Sequence, residues 1–227
     1  AAPRAVFEYD WRLAHGERPP FPVFPDAARG PADAEARGAD SDSGWPHRLR
    51  FVVTRPDCAN QLDLLLSLAS TARRRLWVQM FYVTEPGLVD AFAAARERGV
   101  DVRVLCDPNE YSLGLRLYGA PNLPFVEQLM SRRVPVRLFA SAPGAQMHQK
   151  SIVADSRYVF VGATNLTRQS FRVNTDSAFL VDGVDLARVF EERFQDDWSR
   201  RAAEPPGDLF RRRRLYQWCV SLASRYV

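Results

Sequence analysis

The chain has 227 residues, of which 31 are basic and 27 acidic, for a formal net charge of +4 at neutral pH. Apolar content of 46% and charged content of 26% are those of a soluble globular protein, long enough for one α/β domain plus an appendage or for a tight pair. No apolar run reaches the ~18 residues of a membrane span, and three scattered cysteines (Cys58, Cys106, Cys219) without a C-x-x-C pair exclude a zinc knuckle and a disulfide framework.

No positively charged leader opens the chain, and its first residue is Ala, which leads us to expect a processed, trimmed or partial chain. Residues 19–48 read as a linker, stiff at Pro19-Pro20-Phe21-Pro22 and then rich in Ala, Asp, Gly and Ser. Arg50–Thr54 predicts a strand, and Asn60–Arg74 a helix with Leu62, Leu65, Leu66, Ala69 and Ala72 on one face. Leu76–Val83 predicts a buried strand, Gly87–Arg98 a helix stopped at Gly99, and Val100–Cys106 an alternating strand closed by Asp107-Pro108. After a glycine-containing loop come a helix from Leu123 to Arg132 and a strand from Val134 to Phe139. This alternation implies an α/β fold with a mixed, largely parallel sheet flanked by helices on both faces. Beyond Pro143 the rhythm changes to short strands at Gln149–Ala154, Tyr158–Val161 and Ser177–Val181, then an amphipathic helix over Asp185–Ser199.

One echo stands out. Phe7-Glu8-Tyr9-Asp10-Trp11 and Phe194-Gln195-Asp196-Asp197-Trp198 are both F-x-x-D-W. Two readings remain open: coincidence, or residues 1–18 as the last helix of a preceding copy of the same domain.

Of the 31 basic residues, 30 are Arg and one is Lys, Lys150. It lies in Met147-His148-Gln149-Lys150-Ser151-Ile152-Val153-Ala154-Asp155, of the form H-x-K-x4-D, followed by Gly162-Ala163-Thr164-Asn165, of the form G-x-x-N. Residues two apart in a strand share a side, so His148 and Lys150 present an imidazole and an ammonium together. Asp155 lies at odd offsets from both and reads as a structural acceptor near a turn. Gly162 allows close backbone approach to a ligand, and Asn165 can donate an amide hydrogen bond. An ammonium, an amide and an imidazole suit a phosphodiester: Lys150 and Asn165 stabilise the non-bridging oxygens, and His148 attacks phosphorus or moves the proton. Asp176, opening the next strand, is the candidate to fix the imidazole tautomer. No metal ligands cluster nearby, so neither a metal nor a cofactor is expected.

H-x-K-x4-D followed by G-x-x-N resembles the signature of the phospholipase D superfamily, over residues 49–200 as one catalytic domain. The resemblance implies a two-step transfer in which one His forms a phosphohistidine and a second, from a second motif, protonates the leaving alcohol. It implies that an acidic residue downstream orients a His, often across the pseudo-twofold. The family often has Ser after the Gly; here it is Ala163, which leaves any hydroxyl contact with substrate to Thr164. This chain has one motif, since His15 and His47 have no Lys two residues on. The site is therefore expected to need a missing first half or a homodimer partner, with the echo favouring the former. Residues 201–227, with Arg211–Arg214 followed by Leu215, Tyr216 and Trp218, suit an anionic membrane surface. The expected substrate is a phospholipid and the expected location peripheral to a membrane, in a bacterium. A metal-independent homodimeric nuclease, with nucleic acid as partner, and a phosphate-binding module without turnover are the alternatives.

Overall fold

The computed structural model describes residues 47–55, 60–109, 121–142 and 145–206, with eight positions between Arg4 and Glu17. The linker, most of the loop after Asn109, and the basic tail from residue 207 lie outside the described residues. Eight strands form one sheet: β1 (Arg48–Thr54), β2 (Arg75–Met80), β3 (Asp101–Cys106), β4 (Val136–Phe139), β5 (Lys150–Ala154), β6 (Tyr158–Gly162), β7 (Asp176–Asp182) and β8 (Ala202–Ala203). Their spatial order is β1-β7-β6-β5-β2-β3-β4-β8. The helices are α1 (Asn60–Thr71), α2 (Pro86–Glu97), α3 (Leu123–Ser131), α4 (Arg168–Arg172) and α5 (Val184–Arg200). The short α4 and β8 are too brief to leave a periodic signal in the sequence.

The sheet is mixed. β1, β2, β3, β4 and β6 run one way, and β5, β7 and β8 the other. The βαβ units make β2-β3-β4 a parallel block, because each crossover helix returns the chain to the same end. β1 shares their direction but pairs with β7 at the far edge, so the antiparallel strands β5, β6 and β7 fill the space between β1 and β2. The β5–β6 connection is tight: Asp155 and Ser156 take positive φ (53° and 58°), and the Arg157 N–H donates to Ala154 O at 3.1 Å. The Asp155 carboxylate accepts from the backbone N–H groups of Arg73, Arg74 and Arg75 at 2.8–3.2 Å, bracing the hairpin against the start of β2.

One sheet face carries the main core. Leu65, Leu68, Leu88, Phe92, Val126 and Leu129 of the first three helices pack there on Leu76, Val78, Val102, Val104 and Ile152. The other face is covered by α5, and F-x-x-D-W is its docking device. Phe194, Asp197 and Trp198 share one helical face. Phe194 stacks on Trp77 with centroids 5.0 Å apart, Trp198 stacks on Phe194 at 5.6 Å, and Gln79 Nε2 donates to Asp197 Oδ2 at 3.0 Å. The guanidinium groups of Arg75 and Arg103 lie over the Trp77 ring at 4.3 and 4.7 Å.

Asp155→Ala removes the acceptor of three backbone N–H groups at once and is expected to destabilise the fold by about 2 kcal/mol. The measurement is urea unfolding, with a lower midpoint and an unchanged slope. A midpoint equal to that of the unaltered chain refutes the bracing role.

Candidate functional site

The motif residues collect at one end of the sheet, where β2, β3 and β6 finish and β5 and β7 begin. The decisive register is that of β5 on β2, which sets Lys150 opposite Met80 and Ser151 opposite Gln79. Gly162 lies opposite Ala178, and Thr54 opposite Asp176. Strand pairing alone therefore brings H-x-K, G-x-x-N and Asp176 to a common edge.

Lys150 is only 5% exposed, and its Nζ donates to the carbonyl of His148 at 3.0 Å. His148 itself is exposed, immediately before β5. Phe81, just past β2, packs between the two. Its ring meets the imidazole edge-on, with centroids 5.0 Å apart, and lies 5.4 Å from the ammonium. Burial lowers the Lys150 pKa from its ordinary value, and the charge of Asp176 opposes that shift. Burial, and then the charge of Lys150, lower the pKa of His148, while Asp107 acts in the opposite direction. Burial raises the pKa of Asp176, moderated by a hydrogen bond from Ser170 and by the charge of Lys150. Two of the expected partners, Lys150 and Asp176, are thus electrostatically coupled. Asp176 lies within electrostatic reach of Lys150 and accepts from Ser170, while Asp107 lies within electrostatic reach of His148 and accepts from the Met147 N–H.

The G-x-x-N loop is held firmly. The Leu166 N–H donates to Tyr82 O at 3.0 Å, and the N–H groups of Thr84 and Glu85 donate back to Leu166 O at 2.7 and 2.9 Å. Asn165 is half-buried, and its Oδ1 is buried without a hydrogen-bond partner among the described residues. A buried amide oxygen left in that state is uncommon in a purely structural role.

Two expected substrate contacts turn inward. The Thr164 hydroxyl is fully buried and donates to Gln61 Oε1 at 2.6 Å, so its proton is committed to the fold. A Cβ at Gly162 would fall 2.4 Å from Ala178 Cα; the close approach this glycine allows is to β7, not to a ligand. Asp155 lies at the opposite end of β5 from Lys150, in the turn that it braces.

Three residues of the site carry no motif signal. Gln61 is fully buried on α1, and its Nε2 donates to Asp176 O at 2.8 Å and Val52 O at 3.3 Å while Oε1 accepts from Thr164. It joins β1, the start of β7 and the G-x-x-N loop. Phe81 and Asp107 are the others. In sequence Phe81 is one apolar residue in a strand and Asp107 one turn acid, so only a buried polar group at a strand end hinted at more. Among the described residues no three His, Cys, Asp or Glu side chains gather as a metal site.

Residues 65–198, more than half of the chain, match the family described as cardiolipin synthase, PLD-like domain. Curated relatives include cardiolipin synthase A of Yersinia pseudotuberculosis serotype O:3 (strain YPIII), 27% identical, and cardiolipin synthase A of Yersinia pestis bv. Antiqua (strain Angola), 26% identical; each match takes in 93% of this chain. The chain spans about 40% of the length of these relatives. In fold it is similar to Nuc, a phospholipase D family member from Salmonella typhimurium, with a TM-score of 0.59 and 22% identity over 70% of this chain and 98% of that one. It is also similar to phosphatidylserine synthase from Haemophilus influenzae Rd KW20, with a TM-score of 0.58 and 18% identity over 70% of this chain and 40% of that one. The sheet order, the paired His148 and Lys150, and the family match agree: the chain belongs to the cardiolipin synthase-type, phospholipase D-like family.

Proposed function

We propose that this chain supplies one half of a phosphodiester-transfer site of the phospholipase D and cardiolipin synthase type, acting on phospholipids. The observation that carries the reading is the buried Lys150 ammonium, bonded to the His148 carbonyl and sharing the Phe81 ring with the His148 imidazole at one end of the sheet, within a domain of this family. A desolvated cation holds a phosphate oxyanion more strongly than a solvated one. Lys150 and Asn165 hold the non-bridging oxygens. In the first step an imidazole nitrogen bonds to phosphorus as the bond to the leaving alcohol breaks, and a second imidazole donates a proton to that alcohol. In the second step water or another alcohol attacks the phosphohistidine, gives its proton to the second imidazole and frees the first. His148 takes one of these two roles. Its lowered pKa favours the neutral ring, the form that attacks or accepts a proton.

The second imidazole belongs to another H-x-K motif. The relatives are long enough to hold a second domain of this size. Residues 1–18 are read as the terminal helix of that domain, residues 19–48 as the linker, 49–200 as the catalytic domain here, and 201–227 as a basic, apolar tail. Phe7 and Trp11 support this. They stack with centroids 6.1 Å apart, close to the 5.6 Å of Phe194 and Trp198. Yet they are 64% and 58% exposed, whereas Phe194 and Trp198 are buried against the sheet. An upstream sheet bearing its own counterpart of Trp77 would cover them. No helix among the described residues is long and apolar enough to cross a membrane. The sequence Arg211–Arg214 with Leu215, Tyr216 and Trp218 suits peripheral attachment to an anionic bilayer.

A second reading, a metal-independent nuclease completed by a second copy of the chain, draws on one observation. This fold covers 98% and 99% of the chains of Nuc from Salmonella typhimurium and NucT from Helicobacter pylori, so the domain also occurs alone. Light scattering separates the two: a strict monomer that cleaves DNA without added metal excludes the paired assembly.

Head-group release from phosphatidylglycerol vesicles by the longer, two-motif protein tests the first reading. His148→Ala is expected to abolish it. Lys150→Arg is expected to lower it by ~10²-fold or more, because a planar guanidinium does not fit the slot of a compact ammonium. Near-normal turnover by the Arg variant refutes the phosphate-holding role. Phe7→Ser with Trp11→Ser is expected to leave the unfolding of this chain unchanged but to destabilise the longer protein by about 3 kcal/mol or more. Equal stability of the longer protein and its variant refutes the upstream docking.

A further inference from the structure

The carboxylate that addresses the candidate histidine is absent from the family signature found in the sequence. Asp107 stands directly after β3 and is 1% exposed. Its Oδ2 accepts from the backbone N–H of Met147, the residue before His148, at 2.6 Å. Its Oδ1 accepts from the Asn109 N–H at 2.7 Å and from Asn109 Nδ2 at 3.4 Å, with Asn109 in the left-handed region at φ 49°. The chain therefore curls round the carboxylate, and each oxygen has a backbone donor. A buried carboxylate without such donors would be strongly unfavourable.

The same residue is tied to the floor of the site. Its backbone carbonyl accepts from Asn122 Nδ2 at 3.4 Å. That amide also donates to Phe81 O at 2.7 Å, and its Oδ1 accepts from the Val83 N–H at 2.8 Å. One hydrogen-bonded chain thus runs from the segment after β2, through Asn122 at the start of α3, to Asp107 and on to the strand entry that carries H-x-K. The groups around the His148 ring are Lys150 at the start of β5, Asp107 just after β3 and Phe81 just after β2. Asp176, at the start of β7, acts on Lys150 instead.

We propose that Asp107 is the positioning residue for His148 within this chain: it anchors the Met147 backbone so that the imidazole is set against Phe81, and its charge stabilises the imidazolium. In the reaction proposed above, on which this role rests, a fixed negative charge would steady the ring whenever it carries a proton. Asp176 is left to serve Lys150.

The contact can be tested without substrate. The side chains of His15, His47 and His148 are titrated by NMR in this chain, with the His148 signals assigned by their loss in His148→Gln. Asp107→Asn is expected to lower the His148 midpoint, and Asp107→Glu to restore part of the loss; Asp176→Asn is expected to move it less than Asp107→Asn. An unchanged midpoint in Asp107→Asn, or a larger shift in Asp176→Asn, overturns the assignment. Should Asp107→Asn fail to fold, hydrogen exchange in the unaltered chain decides: a protected Met147 amide supports the anchor, and exchange at the rate of an unstructured peptide overturns it. In the two-motif protein, Asp107→Asn is expected to shift the imidazole-dependent limb of kcat to lower pH with KM little changed. Absent turnover alongside the expected titration would count against the phosphodiester reading and leave the Asp107 assignment standing.

Discussion

The site depends on the seam where β5 runs antiparallel to β2. On its other side β2 is parallel to β3, so one strand belongs to both the βαβ block and the antiparallel block. The end at which β2 and β3 finish is consequently the end at which β5 starts. His148, Lys150, Phe81 and Asp107 meet because of that junction. A slip of one residue would send Lys150 to the other face of the sheet. Three features oppose the slip: the tight turn at Asp155-Ser156, the grip of Asp155 on three N–H groups at the entry to β2, and the grip of Asp107 on the Met147 N–H. The first two act at one end of β5 and the third at the other.

Charge at the site is organised by burial. Lys150 is nearly enclosed, with a carbonyl, an aromatic ring and the Asp176 carboxylate around it. Asp107 and Asp176 supply negative charge on the two sides of β5, Asp107 within electrostatic reach of His148 and Asp176 of Lys150. Their separation, after β3 and at the start of β7, leaves the middle of the sheet end, at β5, to His148 and Lys150.

Support for this end comes from residues with no reactive chemistry. Gln61 uses both ends of its amide to hold three segments, and Asn122 does the same for the β2 exit and Asp107. Such fully bonded polar groups restrict the arrangement of neighbouring segments, since any shift leaves a buried donor or acceptor unpaired. The opposite sheet face uses different means. There, stacked rings and guanidinium groups around Trp77 fix α5, with Asp197 setting its register through Gln79.

Much was legible in the chain itself. Periodicity located the helices from Asn60 to Thr71 and from Pro86 to Glu97, and alternation located β3, because apolar residues must recur at the period of the element that buries them. The two-residue spacing of His148 and Lys150 drew attention to this segment, although β5 begins only at Lys150 and His148 precedes it. Asp155 was legible as a turn acceptor from its odd offsets to both. What local rules could not supply was which strands become neighbours. β1 lies at the far edge of the sheet from the parallel block, paired with β7. Gly162 and Thr164 looked like ligand contacts, but one accommodates β7 and the other bonds to Gln61, 103 residues away. Asp107 looked like a strand terminator, and only the fold sets it against Met147, 40 residues on. The sequence determined the elements and the H-x-K spacing, because those depend on residues close along the chain. The tertiary structure alone decided which carboxylate lies near which basic side chain, because that depends on strand order and burial across the whole sheet.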